Sequence, residues 1–80
     1  MTIYPNPASQ YINIQYIGHD GEENTFELMD AIGKPVKKFR TTSFSGLNTF
    51  KVEVSALPKG FYTLKGTINE QIHSAKLILQ

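Results

Sequence analysis

The segment Tyr11-Ile12-Asn13-Ile14-Gln15-Tyr16 decides the fold. Ile12, Ile14 and Tyr16 share one side of an extended chain, and Asn13 and Gln15 share the other. Such alternation marks a half-buried β-strand, because successive side chains of a strand point to opposite faces. The same period recurs outward along the chain. Phe26 and Leu28 flank Glu27, while Phe50, Val52 and Val54 alternate with Lys51 and Glu53. Tyr62, Leu64 and Ile68 share a face on either side of Gly66. The last run sets Ala75, Leu77 and Leu79 on one side and Ile72 and Ile78 on the other. No stretch carries a helical i, i+3, i+4 stripe of useful length.

Turn-forming groups separate these runs: Gly18-His19-Asp20-Gly21, Ala31-Ile32-Gly33-Lys34, Ser43-Phe44-Ser45-Gly46 and Pro58-Lys59-Gly60. Glycine takes positive φ at little cost, and proline fixes φ and lacks an N–H, so strands stop at such sites. About seven short strands with closely spaced turns predict an all-β chain. The expected architecture is a single small antiparallel β-sandwich of immunoglobulin-like outline, filling residues 1–80 as one domain. One segment, Pro35 to Thr41, breaks the pattern, since Val36 and Phe39 have opposite parity. Either a bulge reconciles them, or the strand ends early and Phe39 covers a sheet edge.

Size and composition limit the function. A chain of 80 residues buries only about 60–65% of its unfolded surface. That leaves no room for a deep substrate cavity beside a core, and favours a module that presents a surface. Eight basic and seven acidic side chains give a net charge of +1, too small a field to draw in nucleic acid or an anionic membrane. Lys34, Lys37, Lys38 and Arg40 cluster on one segment. They read as a solvated strand face whose charges discourage edge pairing, rather than as a polyanion site. With no cysteine there is neither a disulfide nor thiolate chemistry. No apolar run approaches the ~20 residues of a membrane span, and no signal peptide opens the chain. If the domain is exported, its entry signal is expected on a portion ahead of Met1, and Met1 then reads as an added start.

Catalysis needs convergent groups, and the candidates are few. His19 lies beside Asp20, with Glu22 and Glu23 near, but without a recognised metal-ligand spacing, so the group reads as an exposed polar turn. His73 reads as a partly exposed residue near a strand end. None of the five serines sits in a nucleophile elbow, and the glycines match neither a phosphate loop nor a dinucleotide fingerprint. No catalytic, cofactor-binding or metal-ligating residue is expected. Among the nine aromatics, Phe26, Phe50 and Tyr62 have core parity, whereas Tyr11, Phe44 and Phe61 are expected nearer the surface. With no tryptophan, these read as sheet packing rather than a sugar platform.

Four segments in order carry a resemblance. Tyr4-Pro5-Asn6-Pro7-Ala8-Ser9, followed by the alternating Tyr11 to Ile14, opens the chain. Phe26 to Val36 holds a strand, a glycine turn and a valine. Val52 to Lys65 contains Leu57-Pro58-Lys59-Gly60-Phe61-Tyr62, and Lys76-Leu77-Ile78-Leu79-Gln80 comes last. Together they resemble the type A C-terminal sorting domain of the type IX secretion system of Bacteroidetes-type bacteria, the Por secretion family. Two details depart from the pattern. The last hairpin, Ile68-Asn69-Glu70-Gln71-Ile72, lacks the glycine often found there, and Ala75-Lys76 stands where paired lysines are frequent.

The resemblance implies a transport signal without cofactor or catalytic residues. It implies covalently attached N-terminal cargo, recognised by the outer-membrane translocon and its shuttle proteins. A cell-surface sortase then commonly removes the domain. Localisation would be the periplasm in transit, then the cell surface or the medium. Leu57, Pro58, Lys59, Gly60, Lys76, Leu77, Ile78, Leu79 and Gln80 are the candidate recognition residues. Two placements remain open for the terminal strand: a sheet edge offering unpaired backbone groups, or a central strand covered on both sides. The competing reading is a carbohydrate- or protein-binding β-sandwich appended to a secreted enzyme, with a metal-dependent hydrolase third.

Overall fold

In the computed structural model, which describes residues 1–80, the period-two runs become β1 (Thr2–Tyr4), β2 (Tyr11–Gly18), β3 (Glu23–Met29), β4 (Pro35–Thr42), β5 (Gly46–Glu53), β6 (Gly60–Ile68) and β7 (Gln71–Leu79). They form two antiparallel sheets, one ordered β1-β2-β5 and the other β4-β3-β6-β7. The first, second and fifth strands pair as the A, B and E strands of an immunoglobulin sandwich do, and the third, sixth and seventh as C, F and G. The fourth strand joins the latter sheet. No helix is long and apolar enough to cross a membrane.

Alternation correctly assigns the inward faces. Ile12, Ile14 and Tyr16 of β2, Phe26 and Leu28 of β3, and Tyr62, Leu64 and Ile68 of β6 are buried, as are Val52, Val54, Leu77 and Leu79. Full burial of each large side chain contributes about 1.5–3 kcal/mol. At the centre Phe26 stacks on Phe39 at 5.6 Å and meets Phe50 edge-on at 5.1 Å, with the Tyr16 ring 5.4 Å away. These rings pack on one another rather than forming a platform. Of the three aromatics expected nearer the surface, Phe44 and Phe61 are exposed and Tyr11 is half-buried. His73 is half-buried near the start of β7.

The parity break resolves as a bulge. Leu28 pairs with Lys37 but Met29 pairs with Pro35, so Val36 is the extra residue of β4. The bulge lets Val36 and Phe39 both pack against the core although they stand an odd number of positions apart. On the edge strand β4, Lys38 and Arg40 stand in solvent, where Lys38 faces Glu27 at 3.9 Å and Arg40 faces Glu23 at 3.4 Å. Lys34 is exposed just ahead of the strand, but Lys37, opposite the buried Leu28, is half-buried rather than part of a solvated face.

Antiparallel strands sort the connections into two poles. One holds the β2–β3 turn with His19 and Asp20, the β4–β5 turn with Ser43, and the two-residue β6–β7 hairpin Asn69-Glu70. Here Asn24 and Ser43 are buried, joined by a hydrogen bond from the Asn24 amide to Ser43 Oγ. The Tyr16 hydroxyl bonds to the hydroxyls of Thr41 at 2.9 Å and Ser43 at 3.1 Å. The other pole gathers the β1–β2, β3–β4 and β5–β6 connections and the end of β7.

Candidate functional site

The second pole brings the four segments singled out in the sequence into contact. Gly60 pairs with Leu79 and Phe61 with Ile78, so the Pro58-Lys59-Gly60 turn lies beside the end of the chain. A shallow groove joins this turn to the β3–β4 turn, lined by Ile32, Val36, Pro58, Lys59 and Phe61. Apolar side chains stand out of this pole, among them Ile32, 87% exposed, Phe61, 68%, and Ile78, 37%. The core does not require them there.

Local hydrogen bonds hold each turn in place. Asp30 Oδ1 accepts from the N–H groups of Ile32 at 3.1 Å and Lys34 at 2.9 Å, a side chain mimicking a backbone turn. In the β5–β6 connection the Leu57 N–H donates to the Val54 carbonyl at 3.1 Å, and the Leu57 side chain packs against the core. Two residues into β6, the Tyr62 hydroxyl donates back to the Pro58 carbonyl. This is the tyrosine-corner arrangement of immunoglobulin-like sandwiches, a Tyr near the start of the sixth strand tied to backbone just upstream. Gly60 has φ +147°, a conformation that side-chain-bearing residues rarely adopt, which accounts for the glycine at that step.

The terminal strand lies at a sheet edge, not in a covered centre. Leu77 and Leu79 point into the core, while Lys76, Ile78 and Gln80 face solvent. Its last outward backbone groups, however, are already occupied. Asn6 Nδ2 donates to the Lys76 carbonyl at 2.8 Å, and the Ile78 N–H donates to Asn6 Oδ1 at 3.0 Å. The Ala8 N–H then donates to the Ile78 carbonyl at 2.9 Å, and the Gln80 N–H to the Ala8 carbonyl at 2.8 Å. Asn6 thus presents an amide to β7 much as a neighbouring strand would, and Ala8 continues with one parallel bridge to Leu79. The Tyr4–Ala8 segment is a strap along the end of the last strand.

Of the nine candidate residues, Pro58, Lys59, Lys76, Ile78 and Gln80 are exposed, Leu57 and Gly60 are half-buried, and Leu77 and Leu79 are buried. Sequence reasoning missed three residues that shape the pole: Asn6, Asp30 and Tyr62 in its hydroxyl role. Asp30 had a readable signal, an Asp opening a glycine turn. Asn6 had only its place between two prolines. At the opposite pole His19, Asp20, Glu22 and Glu23 do not converge into a group able to hold a metal ion.

A family model described as the secretion system C-terminal sorting domain matches residues 2–80. No curated protein matches the chain. With the fold and the order of all four segments in agreement, the chain belongs to the type IX secretion C-terminal sorting domain family over its whole length.

Proposed function

We propose that the pole built from the strap, the Asp30 turn, the Leu57–Gly60 connection and the end of β7 is the face read by the outer-membrane translocon and its shuttle proteins. Cargo attached ahead of Thr2 is carried from the periplasm to the cell surface or the medium, and a sortase then removes the domain. Convergence of the four segments on one pole carries this reading. Segments far apart in sequence need not meet unless a common surface or a common core requires it, and Ile32, Lys59, Phe61 and Ile78 serve no core. The direction of β1 supports it as well. Its residues run from Thr2, opposite Gln15, to Tyr4, opposite Asn13, so an upstream chain approaches from the other end of the sandwich. Cargo therefore leaves the pole unobstructed.

The test is export of a fluorescent reporter carrying a periplasmic signal peptide in front and this domain behind. Reporter outside cells with type IX machinery, and held in the periplasm when the translocon is deleted, is the expected result. Retention in both strains, with the domain folded, would contradict the reading.

A further inference from the structure

The strap covers only the end of the outer edge of β7. Hydrogen-bonded pairs of β7 with β6, such as Leu77 with Tyr62 and Ala75 with Leu64, alternate with pairs in which the backbone groups of the β7 residue face away from β6. Ile78 belongs to the second set, because its N–H and carbonyl both bond to the strap. Ile72, Ser74 and Lys76 share its parity. The carbonyl of Lys76 is taken by Asn6, but no hydrogen bond engages the outward groups of Ile72 and Ser74 or the outward N–H of Lys76. This open stretch is exposed, with Ile72 66% accessible. Unpaired N–H and carbonyl groups at strand spacing fit one kind of occupant, an extended peptide backbone.

The side chains narrow that occupant further. Lys65 and Ser74 pair across β6 and β7, as do Thr63 and Lys76, all on the solvent face of the sheet. The ion pairs of the domain involve Lys38 and Arg40, and Lys65 has Glu27 opposite it on β3, whereas Lys76 has no carboxylate partner. Resting on the sorting reading above, we propose that Ile72–Lys76 is where an extended strand of the export machinery adds to the sheet, presenting a carboxylate to Lys76. The strap limits addition to this stretch by closing the rest of the edge.

Proline at position 74 separates backbone reading from side-chain reading. The Ser74 N–H points away from β6, so Ser74→Pro removes an outward donor and leaves the β6–β7 ladder intact, the setting in which edge strands tolerate proline. Export of the reporter fusion should fall about tenfold or more in Ser74→Pro, the effect of losing a backbone bond together with close approach. Export should be unchanged in Ser74→Ala, and the melting temperature of the purified fusion should stay native. Lys76→Glu should also reduce export. If Ser74→Pro unfolds, Ile72→Pro compared with Ile72→Ala makes the same test at the next outward position. Native export by a folded proline variant overturns the inference while wild-type export still stands for the sorting reading. Failure of the wild type to be exported overturns both. A concentration-dependent dimer in sedimentation that Ser74→Pro abolishes, with export unchanged, would reassign the edge to a second copy of the chain and overturn the inference too.

Discussion

A methyl group on Gly66 would lie 2.9 Å from Phe26 Cε1 and 3.0 Å from Met1 Sδ. The Met1 thioether can swing aside, but the Phe26 ring is held by Phe39, Tyr16 and Phe50. Gly66→Ala therefore overpacks the centre and should cost about 1–3 kcal/mol, read as a lower urea midpoint with an unchanged slope. Glu70 shows the opposite case. It has φ +65° in the hairpin after Asn69 at φ +53°, and only asparagine of the two tolerates the left-handed region well. The missing glycine that sets this hairpin apart from the family pattern is thus a local cost. Glu70→Gly should stabilise the domain by about 0.5–1 kcal/mol and raise the melting temperature by several degrees. Export should not change, because the hairpin lies at the pole away from the motif segments.

At the scale of elements, the strap and β7 form one unit joined by four hydrogen bonds between residues 70 or 72 positions apart in sequence. Asn6→Ala removes the two side-chain bonds and should cost about 1 kcal/mol, the low end for two exposed bonds. It should also speed amide exchange at Ile78, which loses its acceptor, while the Leu77 amide, facing β6, stays protected. This unit marks the limit of what was legible in the sequence. Alternation placed Ile12, Phe26, Leu64 and Leu77 inward, because a strand has two faces and burial selects one. The bulge at Val36 was visible as a conflict of parity, one of two resolutions left open. Asn24, by contrast, has the inward parity of Phe26 and Leu28 but a polar side chain, and its partner Ser43 sits in a turn. Asn6 meets Lys76 and Ile78 through a contact that no local pattern encodes. Periodicity reports the face a residue occupies, not the distant group it meets.

Over the whole molecule, the sandwich is 35 Å along its longest dimension, and its two poles divide the work. One pole is closed by hairpins and the buried Tyr16, Asn24 and Ser43 group, and the other collects the four family segments. Each pole also displays exposed apolar side chains: Phe44 and Leu47 at the first, Ile32 and Phe61 at the second. That symmetry provides its own control. The most direct measurement is export of the reporter fusion with Lys59→Glu and Phe61→Ser together, beside a fusion with Phe44→Ser and Leu47→Ser. Both pairs lie on the surface and should leave melting close to native. The sorting account predicts that the first pair holds the reporter in the periplasm and the second exports it as wild type does. Loss of export from Phe44→Ser with Leu47→Ser, alongside native export from Lys59→Glu with Phe61→Ser, would contradict it.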